Sequence, residues 1–252
     1  MTELAYLADG PAGYVRSFRA RITALPPGAV VLDRTYFYPG GGGQPPDRGA
    51  LRPVGTDVEV EVVDAARSGA AVLHRLRRGR PGALALTVGA EVDGTVDWER
   101  RYRHMRLHTG QHLVSALLFA RHGLRTSRAS LAGSSATIDL EGPLPIGAVP
   151  DLSDAVGAAV RRGRPVTIRY LPRAEWEARL PAPRSGLVPL PPRVDPVRIV
   201  EIEAEDACPC GGTHLRSTGE IGTIRLEEGA APADRARILL TLGDPEATVP
   251  PA

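Results

Sequence analysis

Short runs rich in valine and leucine, broken by proline and glycine, fill the N-terminal third of the chain. Runs at 29–35, 58–64 and 71–76 are separated by the clusters Pro26-Pro27-Gly28, Pro45-Pro46-Asp47 and Arg80-Pro81-Gly82. Apolar runs bounded by such residues predict strands. Closely spaced strands with no helical period between them point to a small β-barrel, with a last strand at 91–96. The texture then changes. From Asp97 to His122 there is no proline, and Met105, His108, His112, Ala116 and Phe119 fall on or near one helical face, with Leu113, Leu117 and Ala120 beside it. Asp97 is placed to cap this helix and Gly123 to follow its end. Further on, the pattern predicts a strand at 136–140 and a helix at 151–162, capped by Asp151 or Ser153 and ended by Gly163. A strand at 165–171, one or two helical turns at 173–180 and a proline-rich loop at 181–196 follow. Strands come next at 197–204, 220–227 and 236–242, with Gly229 and Asp234 in the last turn. Helices mixed with hairpin-connected strands read as α+β. The change of texture divides the chain into a β domain at 1–92 and an α+β domain at 93–252.

Composition narrows the class. An apolar fraction of 42% and a charged fraction of 24% are those of a soluble globular protein. A net charge of +2 does not by itself argue for nucleic acid. The chain has no lysine, so any strongly basic phosphate contact must come from arginine, which can bind phosphate bidentately. Cys208 and Cys210 flank one proline, too close for a disulfide framework, and read as reduced cytosolic thiols. No apolar run reaches the length of a membrane span, and the first residues lack a signal-peptide pattern. The expected location is cytoplasmic.

Two distant segments carry the chemistry. His108 and His112 are four residues apart, which stacks two imidazoles on one helix face. Cys210 and His214 repeat that spacing around Gly211-Gly212-Thr213. Three nitrogens and a sulfur form a donor set that tetrahedral zinc takes. His104 precedes the pair by one turn and could extend the ligand row. His74 and His122 have no ligand partner in sequence. Cys208 and Cys210 form a close pair, and either sulfur could serve as the donor. Four protein ligands match the closed pattern of structural zinc, whereas catalytic zinc keeps a position open. Two resolutions stand: one ligand gives way to a water of lowered pKa, or the shell expands to hold a substrate amino group or hydroxyl.

Three segments in order resemble one family. They are Tyr36-Phe37-Tyr38-Pro39-Gly40-Gly41-Gly42-Gly43-Gln44 with Asp47 and Gly49, then His108-Thr109-Gly110-Gln111-His112, then Cys210-Gly211-Gly212-Thr213-His214. The tail Ser217-Thr218-Gly219-Glu220-Ile221-Gly222 extends the likeness. Together they look like the editing domain of alanyl-tRNA synthetase and its free-standing relatives, the AlaX proteins, over nearly the whole chain. The resemblance implies a small barrel followed by an α+β domain shared with threonyl-tRNA synthetase editing modules. It implies one zinc per chain on His108, His112, Cys210 and His214. It also implies hydrolysis in trans of mischarged alanine tRNA, with serine the usual target and glycine a second. Within that reading, Thr109 and Gln111 are candidates for a catalytic role. Ser127, Ser130 and Thr213 are candidates for contacting the substrate. Gly41, Gly42, Gly43 and Gln44 would meet the RNA end through bare backbone, and Arg103, Arg106, Arg125 and Arg128 would meet phosphates. A single chain gripping the acceptor end is expected. Two other functions fit the same residues: a zinc-stabilised RNA-binding module without turnover, and a zinc hydrolase of small amino-acid esters.

Overall fold

A computed structural model of the protein describes residues 1–8, 11–77, 86–178, 194–232 and 234–243. The expected loop at 181–196 lies almost wholly outside these residues. Two compact units divide the chain, Met1–Gly41 with Pro45–Tyr102 and Gly42–Gln44 with Arg103–Ala252. The hydropathy pattern placed the division at 92/93. The units divide ten residues later because the strand that crosses position 92 is paired on both of its edges within the first unit.

Among its described residues the first unit holds eight strands: β1 (Glu3–Leu4), β2 (Ser17–Ala24), β3 (Ala29–Leu32), β4 (Arg34–Thr35), β5 (Gly49–Pro53), β6 (Val60–Ser68), β7 (Ala71–Leu76) and β8 (Glu91–Val96). Six of them pair antiparallel in the order β2-β3-β7-β6-β5-β8, and β8 returns to β2, so the ladder closes on itself. Phe18, Ala20, Ile22, Val30, Leu32, Leu51, Val62, Val72 and Val92 form its core. The pattern reading missed β2 and β5. In β2 the exposed and buried positions alternate, but Arg19 and Arg21 occupy the outward ones and dilute the apolar run. They pair there with Asp93 and Glu91.

Two sets of buried polar contacts bear on the site's support. His74 on β7 is fully buried, its Nε2 2.8 Å from Thr35 Oγ1 and its Nδ1 3.0 Å from the Val30 carbonyl. Arg101 is also fully buried and ion-paired with Asp47, and it donates to the carbonyls of Gly13 at 2.8 Å and Tyr36 at 2.6 Å. Asp47 accepts in turn from Tyr38 N–H at 2.6 Å. The pair therefore pins both ends of the segment from Tyr36 to Asp47, which carries the glycines. A buried charge survives only when paired and hydrogen-bonded in this way.

Helix α1 (Trp98–His122) starts in the first unit and continues through the second. Asp97 caps it, its carboxylate accepting from Arg100 N–H at 3.1 Å. Gly123 closes it at φ +67°, with its N–H on the Phe119 carbonyl at 2.9 Å. Every residue from His104 to Leu118 is buried, so α1 is covered on all sides and not only along the expected apolar face.

After α1 come β9 (Thr126–Ala132), β10 (Ser135–Leu140), α2 (Ala148–Arg162), β11 (Val166–Leu171), α3 (Arg173–Ala178), β12 (Val197–Ile202), β13 (Asp206–Pro209), β14 (Ile224–Gly229) and β15 (Ala236–Leu242). They build two antiparallel sheets, β14-β15-β10-β9 and β11-β12-β13. Helix α1 touches the first sheet where Gly110 faces Leu240, and the second where His112 faces Cys208. Two local expectations fail. Helix α2 starts at Ala148 behind Gly147, which is left-handed and offers no side-chain cap. Asp151 instead accepts from Arg121 at 2.7 Å, and Ser153 donates to the Val149 carbonyl at 2.8 Å. The expected strand at 220–227 begins only at Ile224, because Thr218–Ile221 forms a 3-10 turn.

Candidate metal centre

His108 and His112 lie one turn apart in the buried middle of α1, where the backbone is most constrained. Cys210 and His214 follow β13 in a loop. The ring nitrogens of His108, His112 and His214 and the Cys210 sulfur all lie within 4.8 Å of one another. Cys210 Sγ is 3.5 Å from His108 Nε2 and 3.2 Å from His214 Nε2. His112 Nε2 is buried without a hydrogen-bond partner among the described residues.

The opposite nitrogens are all held. His108 Nδ1 meets Gln44 Oε1 at 2.7 Å, and His214 Nδ1 meets Thr109 Oγ1 at 3.2 Å. His112 Nδ1 meets Cys208 Sγ at 3.1 Å, with Asp206 Oδ2 at 3.6 Å. When each Nδ1 carries the proton toward its neighbour, each Nε2 turns a lone pair toward the Cys210 sulfur. Burial works against a Cys210 thiolate, while the adjacent His108 and His214 rings favour it, and the thiol is held well below its usual range; burial also holds His214 well below its usual range, so that ring stays neutral. Burial pushes the Cys208 thiol the other way, up to about 12, so it stays neutral. The donor set therefore fits a metal ion: three inward imidazole nitrogens, one thiolate, and one nitrogen otherwise orphaned.

Packing of the loop depends on one glycine. A Cβ on Gly212 would stand 2.1 Å from His108 Cε1, so only bare backbone fits against that ring. The glycine block before the site has a related constraint. Gly43 has φ +83°, a Cβ there would meet the Ala129 carbonyl at 2.3 Å, and its own carbonyl accepts from Leu131 N–H at 2.8 Å. This close approach to β9 delivers Gln44 into the site. Gln44 is buried, and besides its contact with His108 it accepts from Thr213 N–H at 3.2 Å and donates to Thr213 Oγ1 at 2.8 Å. Gln44 and Thr213 are thus engaged with the protein itself, where the sequence reading had Gln44 meeting RNA and Thr213 meeting substrate. Gly41 and Gly42 remain exposed.

Other expected site residues separate into engaged and open ones. Thr109 also accepts from Leu215 N–H at 3.1 Å, so it orients His214 and the loop. Gln111 donates to Ser115 at 2.9 Å, away from the four donors, and Ser115 in turn accepts from Thr126. Ser127 on β9 donates to the Asp139 carbonyl at 3.2 Å, and Ser130 is half-buried on the same strand, next to Gly43. Arg106 is buried, with Nε on the Ile221 carbonyl at 2.9 Å, which removes it from the expected phosphate contacts. Arg125 lies over the Phe119 ring at 4.6 Å, Arg103 is half-buried, and Arg128 is exposed. His104 is buried outside the four-donor group. Asp206 escaped the sequence reading. Its spacing of two from Cys208 was the available signal, since alternate strand residues share a face.

Comparison with known proteins places this geometry. Residues 14–100 match the profile of tRNA synthetases class II (A), and residues 197–237 match that of the threonyl and alanyl tRNA synthetase second additional domain. The alanyl-tRNA editing protein AlaX-M of Methanosarcina mazei is 32% identical over 90% of this chain and 91% of its own length. That of Saccharolobus solfataricus is 34% identical over 90% and 92%. The alanine–tRNA ligase of Pyrobaculum neutrophilum is 39% identical over 91% of this chain, which spans only 26% of the ligase. Covering more than nine-tenths of the AlaX-M relatives' own length and no more than a segment of the ligases, the chain belongs to the AlaX-M family of alanyl-tRNA editing proteins.

Proposed function

We propose that this protein is a cytoplasmic, zinc-dependent trans-editing hydrolase that deacylates mischarged alanine tRNA, with the serine ester as preferred substrate and the glycine ester as a second. The observation that carries the reading is the convergence of His108, His112, Cys210 and His214 within 4.8 Å in a chain aligned end to end with proteins named for alanyl-tRNA editing. The closed strand ring of the first unit is read as the small barrel of the longer AlaX type, and the second unit as the editing domain proper, one zinc per chain.

His108, His112, Cys210 and His214 would hold the zinc. When bound, the ion supplies Lewis-acid chemistry to an ester carbonyl or to a water of lowered pKa. The protein supplies positioning. Gln44, Thr109 and Cys208 hold the imidazoles by their far nitrogens, and Gly212 lets the loop close on His108. Ser130, half-buried on β9 with its backbone beside Gly43, is our candidate for reading the serine hydroxyl. A site that hydrogen-bonds a hydroxyl rejects the analogue lacking it by up to roughly 10⁴–10⁵, which a size-based sieve for alanine cannot match. The exposed Gly41 and Gly42 backbone, with Arg103 and Arg128, are the proposed contacts for the RNA acceptor end. Thr109 and Gln111, candidates for catalysis by sequence, take positioning and packing roles in this account.

The test compares hydrolysis of Ser-, Gly- and Ala-charged alanine tRNA with that of a free seryl ester. Rapid loss of serine from tRNA, slower loss of glycine and little loss of alanine are expected, with poor turnover of the free ester. Equal turnover of the free ester would favour a small-ester hydrolase. Binding of all three tRNAs with no turnover would favour an RNA-binding module.

A further inference from the structure

Behind His112, on the side away from the Cys210 sulfur, lies a second cluster of buried polar groups. It consists of His112, Asp206 and Cys208, whose candidate ligand atoms also lie within 4.8 Å of one another. Asp206 and Cys208 alternate along β13, which points both side chains to the same face of the strand, toward α1. Asp206 is 4% exposed, and neither carboxylate oxygen has a hydrogen-bond partner among the described residues. His112 Nδ1 lies 3.6 Å from its Oδ2. Cys208, fully buried, takes the closer contact with that nitrogen at 3.1 Å, and sulfur is a weak acceptor.

A carboxylate in this position is expensive for the fold. Removed from water and left without hydrogen bonds, it destabilises the chain unless positive charge is nearby. The four-donor site is where such charge would come from. With a divalent cation on His112 Nε2, the ring must keep its proton on Nδ1, which then faces Asp206 and Cys208. The cation also draws electron density from the ring and strengthens that N–H as a donor. One negative charge on the far side of the ring stabilises the cation through the imidazole.

We propose that Asp206 is a positioning residue of the metal centre, a buried carboxylate behind the His112 ring that strengthens metal binding through it. This rests on the metal reading above. Cys208 fills the space between and fixes the ring orientation, and it is not itself a ligand.

The proposal separates two effects of one substitution. Asp206→Asn keeps the shape and removes the charge. Zinc affinity, measured by competition with a chromogenic chelator, should fall by about 10–100-fold. The melting temperature of the metal-free variant should equal or exceed that of the metal-free wild type. A purely structural role for Asp206 would lower both. Unchanged affinity, or a metal-free variant that melts well below wild type, overturns the proposal. Asp206→Glu serves as the second variant: it keeps the charge, and its affinity should lie above that of the Asn variant whatever its melting temperature. An affinity no higher than that of the Asn variant also overturns the proposal. In cobalt-substituted protein, Cys208→Ala should retain the thiolate-to-cobalt absorption of the wild type, and loss of intensity would make Cys208 a ligand and contradict the assignment. Failure of the wild type to bind zinc at all overturns the metal reading together with this one, whereas wild-type binding with an indifferent Asn variant removes this proposal alone.

Discussion

Gln44 does three things with one amide. Its oxygen accepts from His108 Nδ1 at 2.7 Å and from Thr213 N–H at 3.2 Å, and its nitrogen donates to Thr213 Oγ1 at 2.8 Å. It therefore joins a helix residue to a loop residue and sets the tautomer of His108. Removing such a support from a metal-bound histidine lowers metal affinity by roughly 10–100-fold. Gln44→Ala is predicted to fall in that range by chelator competition, and Gln44→Glu, which keeps the acceptor, to lose less. The motif containing Gln44 was legible in the sequence, yet its role was not. A glutamine after four glycines reads as part of an exposed loop. What reverses this is the approach of Gly43 to the β9 backbone, a contact between residues far apart in sequence. Arg106 was misread for the same reason: an arginine among arginines on a helix reads as solvated, and only the burial of α1 on every side shows otherwise. The convergence of His108, His112, Cys210 and His214 was legible because their chemistry is rare and their spacing is local within each pair.

Elements with strong local signals matched their sequence expectation, and those shaped by tertiary pairing did not. Helix α1 runs between a capping aspartate and a left-handed glycine, both readable without a structure. Strands β2 and β5 escaped because the first alternates with arginines and the second is short and ends on proline. Their identity is settled by neighbours in the closed ladder. That ladder also buries His74, which the sequence offered only as an unpartnered histidine. Burial lowers its pKa from 6.5 to about 4, with the Val30 carbonyl opposing the shift. Its sign follows from proton counting. Between those two values the unfolded chain binds the extra proton and the folded chain does not, so stability is complete above about 6.5 and is lost as pH falls toward 4. The full shift corresponds to about 3 kcal/mol. Urea unfolding followed across that range should show the loss, and His74→Gln, neutral at every pH, should flatten that component of the profile. An identical pH slope in wild type and variant would remove His74 as its source.

For the whole molecule, the two family profiles fall on either side of the histidine pair, at 14–100 and 197–237, the first ending within the opening turn of α1. A site assembled from Gln44, α1 and the loop after β13 thus draws on three stretches of chain that no single local pattern connects. Order along the sequence linked them before the coordinates did, through the resemblance of the glycine block, the histidine pair and the Cys-Gly-Gly-Thr-His segment to one editing family. Composition contributed little, since a net charge of +2 is compatible with many partners. The absence of lysine matters more at this scale, because it makes arginine and bare backbone the available strong phosphate contacts. Among the described residues no helix is long and apolar enough to cross a membrane. The central claim is that the four converging donors hold a zinc ion needed for ester hydrolysis at a tRNA end. Its most direct test is the rate of serine release from Ser-charged alanine tRNA by protein stripped of metal and then reloaded. The account predicts release at background rate after stripping, and recovery in proportion to zinc up to one ion per chain. Full activity in protein verified to be metal-free would contradict it.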